Sequence, residues 1–236
     1  MIEKKVTRIA PSDISFTANC GHCLWHKYHT GWKNESIFPS VFSLLDINQK
    51  NYFNPLGVKE ISKDLPEGIV DQKIADKFIT SKVFYDNKDR PFRIGGKADL
   101  ILIFDEGGYG VIDNKTSKVR DNQDYYFHQL ECYAQILENP DEETAEKFFQ
   151  ANGMQKYAPV THMGLSIFEP SKIIDHSSES VTQMYDRKWI PIDRNPKKLF
   201  DKITQIMDVI ALPEAPPASE CSRCKLYVNA LEEARK

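Results

Sequence analysis

The sequence has few of the features that assign a protein to a specialised class. It contains no run of about 18 uncharged apolar residues, the length that a membrane-spanning helix needs. The opening MIEKKVTRIAPSD carries charges where a secretory signal requires an apolar stretch. No internal repeat and no long low-complexity run is found. These absences predict a cytoplasmic globular protein with no membrane association.

An excess of basic residues is also lacking. The 31 Lys and Arg residues stand against 34 Asp and Glu, so the net charge of −3 indicates neither a nucleic-acid nor an anionic-membrane partner. Any basic patch must therefore be local. The 41% of apolar residues in 236 positions suffices for one sizeable core. We predict a single domain over 1–236, with a core of about 80–211, an N-terminal helical part over 1–79 and a cysteine-bearing tail over 212–236.

What is present is a strong β-hairpin signal. Residues 92–104 and 109–114 are rich in Ile, Leu, Val and Phe, and an Asp-Glu-Gly-Gly turn joins them. Amphipathic helices are predicted over 40–52, 121–138 and 196–211, and further strands over 160–168 and 181–192. A hairpin, a helix, a strand and a helix in this order predict an α/β fold with a central mixed sheet flanked by helices.

Two carboxylates and an ammonium interrupt this apolar hairpin. Pairing through the turn sets residues whose numbers sum to about 212–214 opposite each other, so Asp99 faces the neighbourhood of Asp113 and Lys115. Period-two alternation puts Asp113 and Lys115 on one face. Two carboxylates so close repel unless a cation lies between them, and oxygen ligation suits Mg²⁺ or Mn²⁺. A purely structural explanation is that Lys97 and Lys115 neutralise the two acids.

These residues resemble the motifs of the PD-(D/E)xK nuclease superfamily, and the RecB-like nucleases in particular. Gly96-Lys97-Ala98-Asp99 matches the G-x-x-D element, and Asp113-Asn114-Lys115 matches D-x-K. Downstream, Gln129 and Tyr133 match that group's Q-x-x-x-Y helix element. The resemblance covers residues 95–133. It implies a restriction-endonuclease-like core and divalent-metal-dependent hydrolysis of DNA, with an exonuclease acting on single-stranded ends as the expected form.

The resemblance also implies roles for the matching positions. Asp99 and Asp113 would bind the metal, and the carbonyl of Asn114 is a candidate further ligand. Lys115 would orient the attacking water or stabilise the developing charge. Gln129 and Tyr133 would support substrate placement. Related nucleases often add an acid from an early helix, for which Asp46 is the best candidate. A helicase or an integrase is the partner that this family suggests.

Four of the five cysteines form two C-x-x-C pairs, Cys20/Cys23 and Cys221/Cys224, and Cys132 stands alone. In a reducing compartment such pairs indicate a metal, an iron–sulfur cluster or redox chemistry. RecB-like nucleases of the CRISPR-associated group hold a 4Fe–4S cluster with four cysteines from both chain ends, usually one early and three late. The two-plus-two division here is equally typical of a structural Cys₄ zinc site.

Two other classes of protein compete with this hypothesis. A binding module with the same fold would hold DNA without cutting it. Cys20-Gly21-His22-Cys23 also spells CGHC, the tetrapeptide of thiol–disulfide isomerases. That alternative leaves the second cysteine pair without a role.

Overall fold

The computed structural model of the protein describes residues 5–14, 20–31, 40–53, 56–71, 73–74, 77–118, 124–150, 153, 156–219, 221–222 and 224–225. The helices are α1 (Gly21–His29), α2 (Ser40–Phe53), α3 (Val58–Ile61), α4 (Asp124–Glu138), α5 (Glu142–Thr144), which a π-helical turn (Ala145–Phe149) follows, and α6 (Pro196–Ile210). The strands are β1 (Thr7–Ile9), β2 (Gly68–Val70), β3 (Ile79–Thr80), β4 (Phe84–Tyr85), β5 (Pro91–Gly96), β6 (Leu100–Phe104), β7 (Tyr109–Thr116), β8 (Val160–His176) and β9 (Val181–Pro191). None of the helices within these ranges is long and apolar enough to cross a membrane.

The strands form two mixed sheets. In the larger, the order is β2-β6-β7-β8-β9, with β7 and β8 parallel and the other neighbours antiparallel. In the smaller, β5 pairs with β1 in parallel and with β3 and β4 antiparallel. The α/β class with a mixed sheet and flanking helices is confirmed. β1 and β2, both from the part predicted to be helical, are hydrogen-bonded into these sheets.

The predicted hairpin is present as β6 and β7. Leu100 lies opposite Ile112 and Ile103 opposite Tyr109, which is the register that the turn predicts. Gly107 and Gly108 adopt φ values of +94° and +86° in the turn, a conformation that favours glycine. The hairpin register therefore brings the end of the Asp113 strand to the start of β6.

The sequence predicted one strand over 92–104, and this is wrong. β5 ends at Gly96 and belongs to the smaller sheet, whereas β6 begins at Leu100 in the larger. A Cβ on Gly96 would lie 2.9 Å from Pro11 and 3.1 Å from Tyr133, so the chain passes a crowded point as it crosses between sheets. Asp99 lies in this crossing segment, next to the first residue of β6.

Apolar clusters lie on both faces of the larger sheet. One contains Val111 of β7 with residues of α4 and α6, and the other contains Ile112 with residues of α2 and α3. Because side chains alternate along a strand, Asp113 shares the face of Val111. This alternation directs the acid toward α4, which carries the Q-x-x-x-Y element.

The first cysteine pair lies at the start of α1, which begins at Gly21 with Cys20 as its N-cap. The predicted strands over 160–168 and 181–192 are present, and β8 continues to His176 as an exposed hairpin with β9. The helix predicted over 121–138 is α4, which is described from Asp124, and residues 121–123 lie outside the described residues.

Candidate active site and cysteine cluster

Every residue that the sequence predicts for the metal site lines one cleft of about 590 Å³. The cleft lies among α2, the β6–β7 hairpin and α4. The predicted residues along it are Asp46, Asp99, Asp113, Asn114, Lys115, Gln129 and Tyr133. They come from three parts of the chain that the fold brings together, with up to 87 positions separating the first from the last.

Asp113 is the most deeply buried acid of the cleft. Its side chain is 3% exposed, and the Lys115 ammonium forms an ion pair with Oδ2. Gln129 Nε2 donates to Asp113 Oδ1 at 3.2 Å, and the same amide nitrogen lies 3.4 Å from the Tyr133 hydroxyl oxygen. The four-residue spacing on α4 thus places both side chains of the Q-x-x-x-Y element at this carboxylate.

Asp99 lies nearer to solvent and is held by two donors. The backbone N–H of Asn114 donates to Asp99 Oδ2 at 2.9 Å. The Lys50 ammonium lies 3.1 Å from Asp99 Oδ1. The contact with Asn114 fixes the crossing segment to β7 beside Asp113.

The cleft raises the pKa values of both Asp113 and Lys115. Burial raises the pKa of Asp113 to about 7, because desolvation, together with the negative charge of Asp99, outweighs the attraction of Lys115. Burial alone would lower the pKa of Lys115, but the charges of Asp113 and Asp99 raise it above its usual value. Lys115 is therefore an ammonium at neutral pH.

Lys50 belongs to the site although sequence reasoning gave it no role there. It is only 7% exposed, and its ammonium bridges Asp99 and Asp46, the latter at 2.9 Å. The helical spacing of four predicts the contact with Asp46. No local pattern predicts the contact with Asp99, which lies 49 positions away in the sequence. Gln49, the neighbouring residue, donates to Thr116 Oγ1 at 2.9 Å and fastens α2 to β7.

Several buried polar atoms beside the acids lack a hydrogen-bond partner among the described residues. They are Oδ1 and Nδ2 of Asn114 and Oε1 of Gln129. Buried polar atoms are usually paired, so an orphaned set needs an explanation such as an ion or ordered water. Carboxylate and amide oxygens are also the ligands that Mg²⁺ and Mn²⁺ prefer. The donor set of the cleft fits a divalent cation.

The second predicted site also forms, at the junction of α1 and the C-terminal segment. The sulfurs of Cys20, Cys23, Cys221 and Cys224 all lie within 4.8 Å of one another. Cys20 and Cys224 are 3.5 Å apart, Cys23 and Cys224 3.6 Å, and Cys23 and Cys221 3.7 Å. Four thiolates around one tetrahedral ion with metal–sulfur bonds of about 2.3 Å lie about 3.8 Å apart. The sulfurs are thus spaced as the ligands of a single ion are.

Hydrogen-bond donors around the cluster favour a thiolate at Cys221. The backbone N–H of Cys224 donates to Cys221 Sγ at 3.3 Å, and Ser219 Oγ lies 3.1 Å from Cys20 Sγ. Although desolvation opposes ionisation, these donors lower the pKa of Cys221 to about 6. Burial raises the pKa of Cys23, whose ionisation then depends on a cation.

Helix α1 holds the segment that leads to the second cysteine pair. His22 Nδ1 and Pro216 O are 2.8 Å apart, Trp25 Nε1 donates to Leu212 O at 2.9 Å, and His29 Nε2 lies 2.8 Å from Ile210 O. These contacts with carbonyl oxygens give the histidines a structural role. Cys132, by contrast, is fully buried in the main core, where it packs as a small apolar residue.

Comparison with known proteins identifies the class that this fold and cleft define. The family model of the PD-(D/E)XK nuclease superfamily matches residues 6–227. The chain belongs to this superfamily of metal-dependent nucleases, some members of which are inactive, and a nucleic acid is the indicated substrate. One solved structure, the crystal structure of SSO0001, is 12% identical, with a TM-score of 0.49 over 88% of this chain and 78% of that one. None of the curated proteins matches the chain significantly.

Proposed function

We propose that the protein is a divalent-metal-dependent DNA nuclease whose active site is the cleft among α2, the β6–β7 hairpin and α4. The observation that carries the proposal is the convergence in this cleft of the predicted D-x-K, G-x-x-D and Q-x-x-x-Y residues. Neutralisation by lysine accounts for part of the charge, but it leaves the buried Asn114 and Gln129 atoms without partners in the part of the chain that the structure describes. The orphaned atoms therefore favour a catalytic site over a structural ion pair.

Each side chain has a role in this proposal. Asp99 and Asp113 hold the Mg²⁺ or Mn²⁺ ion, with Asn114 and Asp46 as the further candidate ligands. The bound ion supplies a Lewis acid for the scissile phosphate and an activated water. The Lys115 ammonium, ion-paired with Asp113, stabilises the charge that develops on the phosphate. Gln129, which donates to Asp113, and Tyr133 position the substrate.

The finer parts of the proposal rest on the resemblance to RecB-like nucleases. It supports DNA with a free single-stranded end as the substrate, an exonucleolytic reaction, and a helicase or an integrase as a partner in the cytoplasm. We also propose one domain over 1–236. Strands from both sides of position 80 share each sheet, and the cysteine cluster joins the N-terminal and C-terminal segments, which supports this.

The cysteine cluster is proposed to bind a metal centre that fastens the two ends of the domain. A four-iron cluster attaches each thiolate to a different iron and therefore spreads the sulfurs further than one ion does. All four sulfurs lie within 4.8 Å of one another, and three of their separations are 3.5–3.7 Å, which favours a single tetrahedral ion such as Zn²⁺ over the 4Fe–4S cluster that the resemblance implies. Because CGHC shares its cluster with a second cysteine pair, a metal site is also favoured over redox catalysis. Anaerobic purification followed by iron, sulfide and zinc analysis distinguishes these cases, since a cluster is brown and contains sulfide.

The nuclease proposal is tested with labelled single-stranded and duplex DNA in Mg²⁺, Mn²⁺ or EDTA. We expect Mn²⁺-dependent cleavage of single-stranded DNA and none in EDTA. Lys115→Ala should abolish cleavage without loss of the fold, whereas Lys188→Ala, an exposed change on β9, should cleave normally. Unchanged cleavage by Lys115→Ala would contradict the assigned mechanism.

The second candidate is a DNA-binding module that does not cut. The ion pair of Asp113 with the half-buried Lys115 favours this alternative only if no metal enters the cleft. DNA binding with no cleavage in any metal, by wild type and Lys115→Ala alike, would establish this alternative.

A further inference from the structure

Helix α2 carries more exposed apolar surface than a helix of a globular protein normally does. Its large exposed side chains are Val41, Phe42, Leu44, Ile47 and Tyr52. An amphipathic helix ordinarily buries such residues, and an exposed apolar patch marks a surface that binds something. The patch is therefore a candidate binding surface.

Part of this patch belongs to the cleft. Phe42 and Ile47, which are 41% and 50% exposed, line the cleft together with Asp46 of the same helix. Val41, Leu44 and Tyr52 are not among the described residues that line it. An aromatic ring and a branched side chain of α2 thus line the cleft together with its acids.

Away from α2 the cleft carries charges of both signs. Lys97, which is exposed, and Lys115 line it with Asp99 and Asp113. A cleft that offers apolar side chains on α2 and ammonium groups beside its acids is complementary to a ligand that has a flat apolar face and an anion. A nucleotide has this composition, because its base has two π-faces and its phosphate carries the charge.

We propose that Phe42 and Ile47 are base-contacting residues that make the cleft selective for unpaired nucleotides. This inference rests on the proposed nuclease function and names the residues that determine its strand selectivity. The base packs on Phe42 and Ile47, and the phosphate faces Lys97 and Lys115. In a duplex the faces of each base are stacked on its neighbours, so these two side chains would meet only sugar and phosphate.

The alternative occupant is a protein, either a second copy or a partner. The nucleotide is favoured because the apolar side chains of α2 line the cleft together with its acids and ammonium groups, whereas a protein docked there would close it. A protein would also cover Leu44, which lies outside the cleft and is 60% exposed. Leu44 therefore serves as the control, since it has the same chemical class and the same helix as Phe42.

The test compares DNA with and without bases. Fluorescence anisotropy measures the affinity of the full chain for labelled oligothymidine and for an abasic oligomer of equal length, in EDTA and in Ca²⁺. We expect wild type to prefer oligothymidine by about five-fold to about a hundred-fold, the range that stacking one base supports. Phe42→Ala should lose this preference and bind the abasic oligomer as wild type does, Phe42→Trp should restore it, and Leu44→Ala should keep it.

Three outcomes would overturn the inference. They are no base preference in wild type, an equal loss of affinity for both oligomers in Phe42→Ala, and equal effects of Phe42→Ala and Leu44→Ala. If both variants instead change the molecular mass in sedimentation while DNA binding stays constant, the patch is a protein interface. Failure of the nuclease proposal is recognised separately. In that case wild type would still prefer oligothymidine to the abasic oligomer but would not cleave DNA.

Discussion

Two buried polar clusters lie against α4, and they differ in how completely they are paired. The first, the Arg194 cluster, consists of Arg194, Glu131 and Glu138. Glu131 is fully buried and accepts from Arg194 Nε at 3.0 Å and from the Asn195 N–H at 3.0 Å. Glu138 accepts from Arg194 Nη2 and from the Val160 N–H, both at 2.9 Å. Every carboxylate of this cluster has charged and neutral donors.

The second cluster, in the cleft, is incompletely paired. Asp113 has one ammonium and one amide donor, while Asn114 and Gln129 retain buried atoms without a partner among the described residues. A fully satisfied buried network rigidifies a fold, whereas a partly satisfied one is costly and marks a binding site. The comparison assigns stability to the Arg194 cluster and function to the cleft. Each prediction below tests this division.

The largest effect is expected from Arg194→Met. It leaves Glu131 buried without its cation, and breaking such a pair costs about 3–5 kcal/mol of unfolding free energy. Urea unfolding measures the loss. The exposed ion pair of Lys197 with Asp201 gives the control, because solvent screens it and Lys197→Met should leave stability nearly unchanged. Equal stability of Arg194→Met and wild type would remove the structural role of the cluster.

Asp113→Asn should have the converse effect, which is a loss of activity without a loss of stability. Loss of the metal-binding charge should reduce cleavage by about 10²–10³-fold, as loss of a single catalytic group does. Because burial already raises the pKa of this carboxyl, its neutral replacement should leave stability unchanged or higher. Asp105→Asn, in the exposed turn of the same hairpin, should keep both properties. A stability loss as large as that of Arg194→Met would show that the cleft is structural as well.

Addition of Mn²⁺ should stabilise the protein through the acids of the cleft. Mn²⁺ at a hundred times its Kd should raise the unfolding free energy of wild type by about 2.7 kcal/mol. Asp99→Asn should lack this gain, whereas Arg194→Met, though less stable, should keep it. Thermal unfolding in EDTA and in Mn²⁺ measures the gain. Stabilisation of Asp99→Asn by the full amount would place the ion elsewhere.

A smaller effect is expected at Lys50, whose ammonium bridges Asp46 and Asp99. A divalent ion that binds Asp99 competes with this cation, so Lys50→Met should bind Mn²⁺ several-fold more tightly, which corresponds to about 1 kcal/mol. Calorimetric titration without DNA gives the affinity, and Lys59→Met on α3 is the control. Weaker binding would mean that Lys50 orders the acids rather than competing with the ion.

Local sequence patterns predicted much of the cleft. The turn set the register of β6 and β7, alternation put Asp113 and Lys115 on one face, and the four-residue spacing on α4 paired Gln129 with Tyr133. Each of these depends on periodicity within one or two elements. That the hairpin and α4 contribute to the same site was predicted only by the motif resemblance.

The contacts that were missed connect distant elements. Lys50 reaches Asp99 only because α2 packs across β7, and Arg194 joins Glu131 from 63 positions away. The transfer of the chain from β5 to the larger sheet at residues 97–99 was also missed, since apolar residues continue on both sides of it. Such features follow from tertiary packing, which no local period encodes.

The smallest expected effect concerns stability as a function of pH. The contributions of Glu138 and Asp113 should depend on pH with opposite signs. Burial alone would raise the pKa of Glu138, but Arg194 and the Val160 N–H lower it below its usual value. Its contribution to stability is therefore present above its unfolded pKa and is lost as the pH falls through the folded pKa. Asp113 has the opposite sign, because its raised pKa makes the folded, metal-free protein gain stability as the pH falls from about 7 toward 4.

Chemical denaturation in EDTA at several pH values measures both contributions, each as the difference in unfolding free energy between wild type and one variant. The advantage of wild type over Glu138→Gln should be constant between pH 7 and about pH 5, and should shrink below the usual glutamate pKa of about 4.3. The unfolding free energy of wild type should rise relative to that of Asp113→Asn as the pH falls from 7 to about 5, a range in which Glu138 contributes no change. If the stability difference from wild type followed the same pH profile in both variants, the fold alone would stabilise both carboxylates as ions. That result would contradict the division between the two clusters. Opposite profiles would show that α4 carries one acid that the fold stabilises as an ion and one that requires a bound cation to ionise.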